Sequence, residues 1–256
     1  MKFKRIQILN VDILAISESE LLRELKHGVL VTPNVDDIMK QQRDAEFHKL
    51  ASMAEYSVCD SKVVLLASRF LGTPLKESIP GSDFFPHYCD YHKNDDVRIF
   101  LLGAKPGVSD VARARINSRV GREIVVGNYA PSFGFEKDEA ECQHIVEEIN
   151  KTDANVVVVG LGNPKQTVWI YRYKEQLPQI DVFMALGATI DFEAGAVKRA
   201  PRIFRKYAME WFYRFMKEKR RLFKRYFVED MPFFWHLTKQ KLGLYHDPFA
   251  TESAQE

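Results

Sequence analysis

The sequence predicts an α/β fold: a Rossmann-like, mostly parallel sheet with helices on both faces, plus a basic amphipathic C-terminal helical appendage. Three observations predict it. Apolar, largely β-branched runs recur at 28–31, 97–102, 155–159 and 182–186, and each ends in a polar or glycine-rich turn. Helix-length stretches separate these runs, the alternation expected of parallel strands covered on both sides. Residues 198–227 combine cationic and aromatic side chains at near-helical spacing, with Phe204, Ala208, Trp211, Phe215, Leu222 and Tyr226 forming a stripe.

In chain order, the opening MKFKRIQILNVDILAIS has no long apolar run and no small-residue cleavage site, so it reads as a strand or hairpin and not a signal peptide. Ser17 and Glu20 have capping-box spacing and start a helix over about 18–26. The run 28–31 ends at Thr32-Pro33-Asn34 and leads into a helix over 35–54. A weaker run, 56–60, ends in Asp60 before a helix over 61–71. The run 97–102 leads through Gly103-Ala104-Lys105-Pro106-Gly107 to a helix over 109–119. The run 155–159 leads through Gly160-Leu161-Gly162-Asn163-Pro164-Lys165 to another helix, and 182–186 ends at Gly187-Ala188-Thr189. The organisation is then a body over 1–197, an appendage over 198–237, and a tail over 238–256 without clear period.

At 256 residues and 46% hydrophobic, the chain can bury a substantial core. No run reaches the roughly 18 apolar residues of a membrane-spanning helix. Three widely spaced cysteines fit a reducing cytoplasm. Cys89, Asp90, His92 and Asp95 read as an ordinary solvated loop, and the absence of any Asp-x-Asp triplet argues against a bound divalent ion. Charge is uneven. Residues 198–225 hold twelve Lys and Arg against two acids, which leaves 25 against 33 elsewhere. Such asymmetry points to nucleic acid or an anionic membrane as partner. Phe212, Tyr213 and Phe223 lie off the apolar stripe, and a basic helix with a second aromatic face favours the membrane over nucleic acid. An exposed apolar face could equally meet a second subunit in a homo-oligomer.

Ligands of open parallel sheets bind outside the carboxyl ends of the strands, where the unusual residues of this chain fall. In VVVVGLGNPK, Gly160 and Gly162 would let backbone N–H groups approach a phosphate, with Lys165 adding charge and Gln166 a donor. The third glycine of G-x-G-x-x-G is missing, which disfavours an NAD-dependent dehydrogenase. A turn shaped only by packing is the competing reading, and it applies more strongly to Gly103. Asp191 is placed to bind sugar hydroxyls or to cap a helix. Asp60 could be a general base, if loops shield it from water, or an N-cap. Thr32 and Asn34 could bond the same ligand or simply shape a turn.

Five ordered motifs carry a family resemblance: TPNVDDI at 32–38, YSVCD at 56–60, PLKESIPGSDFF at 74–85, VVVVGLGNPKQTVWI at 156–170 and ALGATIDFEAGAVKRAPRIFRKYAMEWFYRF at 185–215. Together they resemble the WecG/TagA/CpsF family of bacterial glycosyltransferases over roughly residues 5–230. The resemblance implies metal-independent, cofactor-free, inverting transfer of an N-acetylmannosamine-type sugar. The donor is a UDP-sugar, and the acceptor is a polyprenyl-diphosphate-linked sugar at the cytoplasmic face of the membrane. It assigns Asp60 as catalytic base and Thr32 as an active-site hydroxyl, and it places Asn34, Gly160, Gly162, Lys165, Gln166 and Asp191 around substrate; Gly103 stays a candidate for ligand contact on its turn alone. It further implies that arginines of the appendage reach the site, with Arg214, Arg221 and Arg225 as candidates. Where the family commonly has D-G-x-G or D-G-x-S, this chain reads Asp60-Ser61-Lys62-Val63, which leaves the donor sugar open. The rival reading from another class is a membrane-associated nucleotide-binding scaffold without chemistry.

Overall fold

The computed structural model describes residues 3–197, 216 and 223–250. Strands β1 (Arg5–Ile8) and β2 (Val11–Leu14) form an antiparallel hairpin. The remaining strands are β3 (Gly28–Val31), β4 (Tyr56–Ser57), β5 (Ile99–Gly103), β6 (Val125–Tyr129), β7 (Val156–Gly160) and β8 (Val182–Ala185). They form one sheet in the order β4-β3-β8-β7-β5-β6, and every pairing in it is parallel. All six carboxyl ends therefore lie on one edge, with the last two strands in sequence, β7 and β8, at its centre.

Nine of the helices are α1 (Glu18–Glu24), α2 (Val35–Gln41), α3 (Ala45–Ser52), α4 (Lys62–Leu71), α5 (Gly81–Tyr91), α6 (Val108–Val120), α7 (Glu139–Asn150), α8 (Lys165–Tyr173) and α9 (Thr189–Ala194). A continuous apolar strand needs cover on both sides, and β7 has it. Val156 and Val158 pack with residues of α5, α6 and α9, whereas Val157 and Val159 pack with residues of α7 and α8. Burying each such side chain stabilises the fold by roughly 1.5–3 kcal/mol. A third cluster joins the hairpin to α2, α4 and the last described helix, α10 (Pro232–Lys241).

Three sequence expectations need correction. The helix over 35–54 is two helices, because the Asp44 carboxylate accepts the Phe47 N–H at 2.9 Å and starts α3 afresh. The loop around Cys89 is largely helix α5, held down by buried Phe84, Phe85, Tyr88 and Cys89 despite Pro86. His92 ends that helix, packs on Tyr88 and bonds Asp95. The boundary expected at 238 falls inside α10, whose Phe233 and Leu237 are buried one turn apart. Beyond it, Tyr245 donates to Gln42 at 2.6 Å, and Phe249 stacks on His48. Residues to 250 are thus tied to the body instead of forming a tail.

The basic helix expected over 198–227 lies mostly outside the described residues. Its end is described, where Arg225–Glu229 form a π-helical turn. Among the described residues no helix is long and apolar enough to cross a membrane.

Candidate active site

Asp60 leaves the sheet one residue after Cys59, beside the Thr32-Pro33-Asn34 turn. The Val58 N–H donates to the Val31 carbonyl, and the Asp60 N–H donates to the Pro33 carbonyl at 3.4 Å. The N-cap of α4 is not Asp60 but Ser61, whose hydroxyl accepts the Val64 N–H at 3.3 Å. This displaces the capping alternative for Asp60 on its own helix. Its carboxylate instead accepts the Gly81 N–H at 3.3 Å, at the first residue of α5, where no side chain of the preceding Pro80 supplies a cap. The helix dipole there favours a negative charge.

From Gly81 a series of close contacts crosses the sheet edge. A Cβ on Gly81 would stand 3.1 Å from the Leu186 side chain, so the start of α5 lies against the end of β8. The buried Gln166 side chain accepts N–H groups from both Gly187 and Gly162 at 3.1 Å. One amide oxygen therefore joins the loops after β7 and β8. A phosphate that took either N–H would have to displace it. A Cβ on Gly160 would lie 2.8 Å from the Gly187 carbonyl oxygen, and one on Gly103 would lie 2.5 Å from the Gly160 carbonyl oxygen. Close packing of strand ends thus requires both glycines, whatever else they do. Asp60, Gly81, Gly187, Gln166, Gly160 and Gly103 line one continuous edge.

Other expected residues have partners of their own. The Asn34 side chain accepts the Asp37 N–H, and the Asp37 carboxylate accepts the Asn34 N–H in return, a capping box at the start of α2. Thr32 is buried just before it. Lys165 forms an ion pair with Glu136 at 2.6 Å and lies over the Phe133 ring, so its charge is directed to the segment before α7. That pairing holds the Glu136 carboxyl below its usual range. Asp191 sits in the first turn of α9. Burial raises its carboxyl above the usual value, while Lys105 in the loop after β5 opposes the rise.

Arg225 reaches the body: its guanidinium meets the Asp36 carboxylate at 3.2 Å, two residues beyond Asn34, and Asp230 at 3.9 Å. Arg214 and Arg221 lie outside the described residues. Sequence reasoning carried Asp36 and Asp37 only as part of the TPNVDDI motif and missed what they do. Lys40 bridges Asp36 and the Asn163 carbonyl. Helix α2 thereby grips the GLGNPK loop. The spacing Asn34-x-x-Asp37 was the available signal; nothing in the sequence marked Asp230.

Burial pushes the Asp37 carboxyl up to about 6, with Asp36 adding to the rise, and burial beside Asp36 raises Asp230 to about 6 as well. A raised carboxyl is protonated in the native state while the unfolded chain has already lost its proton. Stability therefore falls as pH rises from about 4 to about 6. The rise of Asp37 from 3.8 corresponds to roughly 3 kcal/mol at most. Replacing Asp37 by Asn keeps an oxygen for the Asn34 N–H and removes the ionisation. Relative to the natural protein, Asp37→Asn is expected to gain about 2 kcal/mol between pH 4 and pH 7.5, read from urea midpoints.

Among the described residues no group of three or more His, Cys, Asp or Glu side chains is arranged to hold a metal ion. An all-parallel sheet with helices on both faces and its polar groups gathered at the carboxyl edge belongs to the α/β class whose ligands bind at that edge. The model of the glycosyl transferase WecG/TagA/CpsF family matches residues 6–247, and the chain belongs to this family: it is a glycosyltransferase. It is similar to an N-acetylglucosaminyldiphosphoundecaprenol N-acetyl-beta-D-mannosaminyltransferase of Bacillus spizizenii, with 30% identity over 78% of this chain and 75% of the relative. A protein of the same description from Staphylococcus aureus strain MRSA252 is 29% identical over 81% of this chain and 78% of its own length.

Proposed function

We propose that the chain transfers an N-acetylmannosamine-type sugar from a UDP-sugar to a polyprenyl-diphosphate-linked sugar, with inversion and without a metal ion, in bacterial surface polysaccharide synthesis. The carrying observation is Asp60: a half-buried carboxylate at a strand end, released from capping its own helix and oriented by the Gly81 N–H. In this reading Asp60 takes the proton of the acceptor hydroxyl as that oxygen forms a bond to the anomeric carbon. The bond from that carbon to the UDP oxygen breaks on the opposite face. Charge on the departing diphosphate is met by loop N–H groups and by cations of the appendage. Arg225, already drawn to α2 by Asp36, is the described candidate. Thr32 and Asn34 border the acceptor side, and Asp191 faces the donor sugar.

The names of the two relatives support a diphosphoundecaprenol-linked N-acetylglucosamine acceptor and a mannosaminyl donor. In this reading the enzyme works at the inner face of the cytoplasmic membrane, with residues 198–227 as the basic aromatic contact. The test is a panel of UDP-sugars with an N-acetylglucosaminyl diphosphoprenol, read by release of UDP. Release is expected with one N-acetylhexosamine donor, only when acceptor is present, and undiminished by EDTA. Thermal stabilisation by UDP without release from any donor would support the scaffold reading instead.

A further inference from the structure

Two groups that the sequence offers to a diphosphate at the GLGNPK loop are engaged inside the protein. The Gly162 N–H is held by the Gln166 side chain at 3.1 Å, and the Lys165 ammonium is paired with Glu136 at 2.6 Å. A departing diphosphate still needs a cation at this edge. The structure supplies one from a different element. Lys40, in the last turn of α2, donates to the Asn163 carbonyl at 3.1 Å, one residue beyond Gly162, and to the Asp36 carboxylate at 2.9 Å.

An ammonium carries three N–H donors, and the bonds to Asp36 and Asn163 use two; the third has no partner among the described residues. The Lys40 side chain is 39% exposed, against 9% for the Asp36 side chain behind it, so the cation is the member of the pair that a ligand can reach. Asp36 does not cancel its charge. The same carboxylate oxygen meets Arg225 at 3.2 Å, which sets two cations against one anion. The other acids of this cluster, Asp37 and Asp230, are buried, and burial raises both carboxyls to about 6 and so opposes their ionisation. Helix α8 begins at Lys165 with no side-chain cap from Pro164, and its dipole adds positive potential beside the same loop.

We infer that Lys40 is a further catalytic residue, whose ammonium, held in place by Asp36, meets the β-phosphate of the UDP-sugar beside the GLGNPK loop. This deepens the transferase reading and rests on it for the reaction, while nucleotide binding tests it separately. As the bond from the anomeric carbon to the β-phosphate oxygen breaks, the electron pair stays on that oxygen. Lys40 keeps its proton and stabilises the charge through a hydrogen bond. The test titrates UDP and UMP onto the full chain by calorimetry, with the urea midpoint of each ligand-free variant as the check on folding. Lys40→Met keeps the apolar stem and removes the charge; it is expected to weaken UDP about tenfold or more and to leave UMP within about twofold. Lys40→Gln, which retains an N–H donor, carries the same expectation. In the UDP-release assay kcat should also fall about tenfold or more, because the charge is fully developed only as UDP departs. A role confined to gripping the loop through Asn163 would weaken UDP and UMP alike, and that result overturns the proposal. So does UDP affinity equal to that of the natural chain in both variants, a UDP-selective loss in Lys165→Met instead, or no binding of UDP by the natural chain. A UDP-selective loss in Lys40→Met together with no release of UDP from any donor would end the transferase reading and leave the β-phosphate contact standing.

Discussion

Asp60→Asn is expected to leave a folded protein that binds UDP and turns over about 10²–10⁴ times more slowly, the span attributed to a positioned general base. The fold should survive because the local structure does not depend on the charge. Ser61 caps α4, and the amide oxygen of the substituted side chain can still accept the Gly81 N–H. What disappears is the capacity to take a proton from the acceptor hydroxyl. The expected signature is a lowered kcat with a nearly unchanged thermal shift by UDP. Turnover within a few-fold of the natural enzyme would remove Asp60 from the role of base and return attention to Asp191.

Gly103→Ala should have the largest effect on stability. Gly103 has φ of +131°, a conformation close to exclusive to glycine, and its added Cβ would lie 2.5 Å from the Gly160 carbonyl oxygen. Backbone belonging to a central strand cannot give way as a flexible side chain would. Strain and overpacking together cost roughly 2–5 kcal/mol, or about 5–15 °C in Tm for a chain of this size. Gly162→Ala is the internal control: φ is +76°, but nothing lies within 4 Å of the added atom, so only the conformational penalty of about 1 kcal/mol applies. Equal loss in the two variants would mean that contact between the ends of β5 and β7 is not what demands Gly103.

The sheet was legible because a strand buried on both faces must be apolar throughout, as β7 is, and because strand ends in such sheets carry the polar residues. The positions of Asp60, Thr32 and the glycine loops followed from that. Helix α5 was not legible: Gly81 and Pro86 both argue against a helix locally, and only packing of Phe84, Phe85 and Tyr88 overrides them. The break at 42–44 contains neither glycine nor proline, and Asp44 reveals it only through its bond to Phe47. Within the site, residue type was easier to read than commitment. Gln166 looked like a donor to ligand, yet its oxygen holds Gly162 and Gly187 together; Lys165 looked free for phosphate, yet it pairs with Glu136. Partners distant in sequence decided both cases. The Lys40 bond to the Asn163 carbonyl is of the same kind.

The attachment of α10 and the residues after it changes the topology of the basic stretch between them and the body. The Leu9 N–H donates to Gln240 at 2.8 Å, so the last described helix is fastened to the first hairpin. The described residues on either side of the stretch, up to 197 and from 223, therefore both belong to the same body. Ten of the chain's cations fall in the stretch between those two residues. Shortening the chain after residue 198 would also extract Phe233 and Leu237 from the core. Dissecting this stretch therefore calls for an internal splice that rejoins the two anchor points, with the C-terminal clamp left in place.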